Sequence, residues 1–211
     1  MSPGSVGCQM DNSAAETGVP EHRKGLLFVV SAPSGTGKTT LCKALRDAFP
    51  DIEYSVSHTT RKKRPSEKDG IDYHFTDRDR FLQMRDDGCW AEWAEVHGHY
   101  YGTSAKNLDQ ALSGGRDILL DIDVQGTLQI LERYPEAVTI FILPPSLGVL
   151  RQRLSKRGTE DPQTIEKRLD NAGEEMAMKS IYRHVIVNDD LSTAIDEFIR
   201  IVGTYRNNKD R

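Results

Sequence analysis

Five apolar residues in a row, Leu26 to Val30, are followed at once by Ser31-Ala32-Pro33-Ser34-Gly35-Thr36-Gly37-Lys38-Thr39-Thr40, and this junction restricts the chain more than any other stretch. An unbroken run rich in β-formers reads as a strand buried on both faces, which a parallel sheet covered by helices provides. The glycine-bearing turn is followed by a helix. Glycines at 35 and 37 let successive backbone N–H groups converge on one concavity, and the positive end of the helix dipole near Lys38 adds to its pull on anions. Residues 32–40 therefore form a candidate phosphate loop. In it Lys38 reaches phosphate oxygens as a point charge and the Thr39 hydroxyl can ligate Mg²⁺. Ala32 stands where the pattern has its first glycine, which leaves the local loop geometry open. The alternative is a strand-to-helix turn that holds nothing. Two glycines, the Lys-Thr pair and both flanking elements argue against it.

The 211 residues suit one globular domain with a tail, and 37% hydrophobic with 28% charged residues at net charge −4 leaves room for an ordinary core. That balance excludes a global nucleic-acid surface, so any basic patch is local. Cys8, Cys42 and Cys89 are odd in number and lack ligand spacing, which points to a reducing cytoplasm and to neither a disulfide scaffold nor a zinc site. Residues 1–24 hold no apolar run, so a flexible extension is expected and a secretory signal is not. No apolar window reaches the roughly 18 residues that a membrane-spanning helix requires.

Along the chain the pattern alternates between strand and helix. A helix is predicted from Lys38 to Phe49, with Leu41, Ala44, Leu45 and Ala48 on one face, and a strand from Ile52 to Ser57. Next come Arg61, Lys62, Lys63 and Arg64, a turn signal at Asp69-Gly70 and the aromatic run Tyr73-His74-Phe75, together read as a loop and hairpin. The arginines suit a second phosphate because guanidinium groups bond bidentately; a solvated basic run remains the plain alternative. A helix over Asp77 to Gly88 leads into a short strand, Cys89 to Val96, where alternation sets Glu92 on the face opposite Trp93. A helix ending at Ser113 and a buried strand from Asp117 to Asp123 follow, with carboxylates at the strand end where open α/β sheets collect ligands. Helix 125–134, strand 137–143 and helix 147–156 continue the alternation. Another helix from Pro162, a strand 182–187 and a terminal helix 191–205 complete it. The charged 146–181 span reads either as a mobile element or as a solvated helix pair. The count points to a five-stranded, mainly parallel α/β sheet with right-handed crossovers.

Residues 25–206 resemble guanylate kinases of the bacterial type. The likeness rests on Ser55-Val56-Ser57-His58-Thr59-Thr60-Arg61 with Arg64, Tyr73-His74-Phe75, Glu92-Trp93-Ala94, Tyr101-Gly102-Thr103, Asp121-Ile122-Asp123-Val124-Gln125-Gly126 and Val187-Asn188-Asp189-Asp190. It implies a P-loop NTPase three-layer sandwich with core segments 25–56, 104–145 and 182–206. A small mixed β/α GMP-binding insert would span 57–103, a helical lid about 146–181 and a C-terminal tail 207–211. It also implies transfer from ATP with Mg²⁺ to GMP in the cytoplasm, with dGMP use and oligomeric state open and no nucleic-acid or membrane partner. Ala32 to Thr40 and Asn188 would bind ATP, and Lys38, Arg64, Arg157 and Arg168 would neutralise the moving phosphoryl group. Ser57, Arg61, Arg64, Tyr73 and Tyr101 would hold the GMP phosphate. Glu92 with Thr103 and Asp121 would read the base, and Gly102, Asp123 and Gly126 complete the GMP set. Beyond Ala32, Lys63 and Ser66 also depart from the family pattern, without removing any of these groups.

Two rivals stand against this expectation. A non-enzymatic binding module of the same fold would dispense with the ATP loop, yet Gly35, Gly37, Lys38 and Thr39 are all present alongside Arg157 and Arg168. A kinase for another nucleotide is opposed by Glu92.

Overall fold

The computed structural model describes residues 24–96, 98–156 and 161–209. Residues 1–23 of the expected extension and Arg157 lie outside the described residues. In chain order the elements are β1 (Leu27–Ser31), α1 (Lys38–Ala48), β2 (Glu53–Tyr54), β3 (His58–Thr59), β4 (His74–Phe75), α2 (Arg78–Asp86), β5 (Trp90–Val96), β6 (His99–Ser104) and α3 (Ala105–Ser113). They continue as β7 (Ile118–Asp121), α4 (Val124–Arg133), β8 (Val138–Leu143), α5 (Leu147–Lys156), α6 (Pro162–Ala177), a 3₁₀ turn (Met178–Ile181), β9 (His184–Val187) and α7 (Leu191–Lys209).

The apolar run becomes β1, the central strand of a five-stranded sheet ordered β2-β7-β1-β8-β9, every pairing parallel. Its two faces are covered as an unbroken hydrophobic strand demands. Leu41 and Leu45 of α1 and Phe198 and Val202 of α7 pack with Phe28 and Val30 on one side. Leu108 and Ala111 of α3 and Ile130 of α4 pack with Val29 and Leu120 on the other. The carboxyl ends of β1 and β7, at Ser31 and Asp121, open onto the same edge.

A second sheet, ordered β4-β3-β6-β5, is built from residues 58–104 over a stack of Phe81, Trp90 and Tyr100. The hairpin expected around Asp69-Gly70 is not there, because β3 and β4 pair in parallel. The Asp69 carboxylate accepts the Phe75 N–H at 2.9 Å, so the intervening segment becomes a loop folded back on itself, with Gly70 at φ 74°. The hairpin of this sheet is β5–β6 instead.

Three spans also shift. The strand predicted over 52–57 keeps only Glu53 and Tyr54, since its single neighbour is β7 and the chain then leaves for the second sheet. The last strand starts at His184, after the 3₁₀ turn, and the terminal helix runs to Lys209. The charged 146–181 span is a helical hairpin with its own core of Leu150, Leu154, Ile165, Leu169 and Ala172, so it is not a purely solvated pair. An Arg151–Glu166 ion pair links its two helices on the outside.

Helix α4 joins these parts. The buried Thr127 hydroxyl lies 2.9 Å from Ser31 Oγ at the end of β1 and accepts from the Tyr182 hydroxyl at 3.2 Å.

Candidate active site

Six of the seven α-helices begin with a side-chain oxygen bonding a first-turn N–H: Asp77, Ser104, Asp123, Ser146, Asp161 and Asp190 serve α2 to α7. Among the described residues α1 alone starts without one, on Gly37 at φ 103°. Its first N–H groups thus remain available to an outside acceptor, on the positive end of the dipole.

The loop leading to it is held from behind. Thr36 is buried and donates to the Pro33 carbonyl at 2.7 Å, while its own carbonyl accepts from Asn188 Nδ2 at 2.7 Å and Arg153 Nη1 at 3.4 Å. Leu150 and Leu154 of α5 press on Gly35. Ala32, the departure from the glycine pattern, packs against the main core. Gly37→Ala is expected to weaken both fold and loop, because a Cβ there would lie 2.6 Å from Asn188 Nδ2 on a left-handed backbone. Urea unfolding should register about 1–3 kcal/mol of lost stability.

Lys38 Nζ forms an ion pair with Asp121 and lies 3.5 Å from the Ile122 carbonyl. Tyr54 adds its hydroxyl to the same carboxylate at 3.4 Å. The loop lysine is thus held by the carboxylate at the end of β7.

A cleft of about 300 Å³ extends from Lys38 and is lined by Ser57, Tyr73, Glu92, Ala94, Val96, Tyr101, Asp121, Ile122 and Asp123. The period-2 geometry of β5 turns Glu92, Ala94 and Val96 to this cleft, which gives a carboxylate beside an apolar wall. Glu92 is 5% exposed and accepts from Thr103 Oγ1 at 2.6 Å. Burial pushes its carboxyl up to about 7; the Thr103 hydrogen bond opposes this and the nearby Asp123 charge adds to it. Gly126 makes room for it, since a Cβ there would meet Glu92 Oε2 at 2.9 Å.

At the other end, Arg61 makes a two-pronged pair with Glu67, at 2.7 and 3.1 Å, and its guanidinium lies over the Tyr73 ring. Tyr73 and Tyr101 face each other with ring centres 6.0 Å apart. Arg64 is exposed on the same loop, and Arg168 of α6 reaches the Ser34 hydroxyl at 3.5 Å.

The family model described as guanylate kinase matches residues 24–205. The chain belongs to the guanylate kinase family. A guanylate kinase of Thiobacillus denitrificans is 48% identical over 187 residues, 89% of this chain and 90% of that protein. One from Syntrophotalea carbinolica is 49% identical over 180 residues, 85% and 86% of the two chains. The crystal structure of guanylate kinase from Anaplasma phagocytophilum superposes with a TM-score of 0.68 at 36% identity, covering 87% of each chain.

Within this guanylate kinase-family chain the predicted residues separate into those the fold gathers and those it does not. Lys38, Ser57, Tyr73, Glu92, Tyr101, Asp121 and Asp123 line one cleft. Asp121 lines the cleft with Glu92 and also pairs with Lys38; Asp123, whose charge bears on Glu92, caps α4 by accepting the Gly126 N–H at 2.7 Å. Gly102 faces Phe81 and Trp90, where a Cβ would come within 3.0 Å of the former, so it serves packing of the second sheet. Asn188, expected on the adenine side, is buried with its amide on the Thr36 carbonyl. Sequence reasoning missed Glu67, which holds Arg61 and Arg64 of its own loop, and Arg153 and Gln129, which act on distant segments. Only the basic Arg153 lay in a stretch already singled out for its charge.

Proposed function

We infer that the protein transfers the terminal phosphoryl group of ATP to GMP, giving ADP and GDP. The observation that carries this is a buried carboxylate, Glu92, paired with the Thr103 hydroxyl in a cleft that runs to Lys38 of the uncapped loop. Guanine offers N1–H and N2–H₂ as adjacent donors, which one carboxylate accepts together. Adenine would present an acceptor at N1 and forfeit about 2 kcal/mol in a dry site. Glu92 and Thr103, with Asp121 and Asp123 on the same cleft, would form the base-reading end.

Ser57, Tyr73 and Tyr101 line the cleft beyond it, and Arg61 would leave Glu67 for the GMP phosphate, joined by Arg64. Residues 32–40 would cradle the ATP phosphates, and Lys38 would exchange Asp121 for them. The exposed Thr39 hydroxyl and the Asp121 carboxylate are hard oxygen donors that fit Mg²⁺. That ion, bound with the phosphates, would neutralise their charge. Residues 57–103 would act as the GMP-binding insert and about 146–181 as a lid, whose Arg157 and Arg168 would neutralise charge on the phosphates while water is excluded. The reaction would take place in the cytoplasm, and among the described residues no helix is long and apolar enough to cross a membrane.

A coupled assay of ADP release across AMP, CMP, UMP, GMP and dGMP tests this. Turnover should be strongly selective for guanine; equal rates with AMP and GMP, or none with GMP, would overturn the assignment.

A further inference from the structure

Strand β5 is the outer strand of its sheet, so along one side its backbone has no strand partner. At Trp93 that deficit is filled by a side chain from another part of the fold. The Trp93 N–H donates to Gln129 Oε1 at 3.1 Å, and Gln129 Nε2 donates to the Trp93 carbonyl at 2.9 Å. A primary carboxamide carries one acceptor and two donors in a plane, so it can stand in for the peptide group of a missing neighbouring strand. The same Nε2 lies 3.5 Å from the Gln125 carbonyl on the preceding turn of α4, which steadies the amide.

This contact falls where β5 most needs an outside hold. The β5–β6 ladder shifts register between Trp90 and Glu92, so the regular pairing that sets Glu92 opposite Thr103 begins only at Glu92, with an irregularity directly before it. Trp93 is the next residue along. Helix α4 meets this point twice: Gln129 grips the Trp93 backbone, and Gly126, three residues earlier on the same helix, leaves the space that the Glu92 carboxylate occupies.

We propose that Gln129 is a positioning residue for guanine recognition, its carboxamide clamping the edge of β5 so that Glu92 is delivered to Thr103 and the cleft. Gln129 does not line that cleft and so acts only through Glu92. The inference rests on the reading of GMP as the acceptor.

The test uses the full chain with Gln129→Met, which keeps length and bulk but makes neither bond, and Gln129→Glu, which keeps an acceptor for the Trp93 N–H but sets a carboxylate against its carbonyl. For both, KM for GMP should rise on the order of tenfold and the GMP-over-AMP ratio of kcat/KM should fall by a similar factor. KM for ATP should stay within about twofold, because the loop is braced by other residues. A purely structural role would move the two KM values together or leave the base preference intact, and either result overturns the proposal, as does an unchanged KM for GMP. Should the Met variant fail to fold, the Glu variant decides alone. Wild-type protein inert toward GMP would instead sink the functional assignment, and this inference with it.

Discussion

Lys38→Ala is expected to lower kcat by on the order of 10²–10³-fold while the chain stays folded. The magnitude follows from what the lysine would do: a charge aimed at oxygens whose negative charge shifts during transfer, in a site closed to water, stabilises the transition state more than the bound substrates. The fold should survive because Lys38 is partly exposed and its partner, Asp121, also accepts from Tyr54. Asp121 would nonetheless lose its cation, so a modest fall in melting temperature is expected alongside the rate. Single-turnover kinetics with circular dichroism would separate the two, and an undiminished rate would remove the loop from the mechanism.

Glu92→Gln should lower kcat/KM for GMP by on the order of 10²-fold, with little change for AMP, since the amide offers guanine a donor where it needs an acceptor. The pH dependence provides an independent check. Burial holds the Glu92 carboxyl near 7 against a usual 4.5, and the proposed pairing with guanine needs its ionised form. Below pH 7 GMP must therefore drive off a proton, and KM for GMP should rise about tenfold per pH unit, a slope that Glu92→Gln abolishes. The stability of the ligand-free protein should respond in the opposite sense. Because the folded-state value lies above the unfolded one, the folded protein binds the extra proton between about 4.5 and 7, and this group's contribution falls as pH rises through that window. Chemical denaturation at pH 5 and pH 7.5 in wild type and Glu92→Gln would show it. A flat KM profile in the wild type would mean that Glu92 does not meet the base.

The large parts of the fold were legible because burial on both faces leaves continuous apolar runs, as in β1 and β8. The strand–turn–helix junction at 27–48 was legible too, since its two glycines and the Lys-Thr pair stand at a recognisable spacing. What escaped was pairing that leaves no period. Strands β3 and β4 are two residues each, too short to alternate, and a turn signal at Asp69-Gly70 suits a folded-back loop as well as a hairpin. Asp121 and Asp123 stand two apart on one cleft, and that the first pairs with Lys38 while the second caps α4 depends on how the chain bends after β7. Arg153 and Gln129 act through four bonds to backbone atoms of remote segments, and Glu67 through bonds to Arg61 and Arg64 within its own loop, none of which linear sequence marks.

The place of β5 at the margin of its sheet has one more consequence. Arg61 follows β3, two strand spacings or roughly 10 Å from the margin that rests on α4. In any rigid swing of this sheet hinged at α4, points at the hinge stay nearly still while those farther out sweep an arc. A nucleotide would then meet a stationary reader for its base, and the arm carrying Arg61 would travel in afterwards to take its charge.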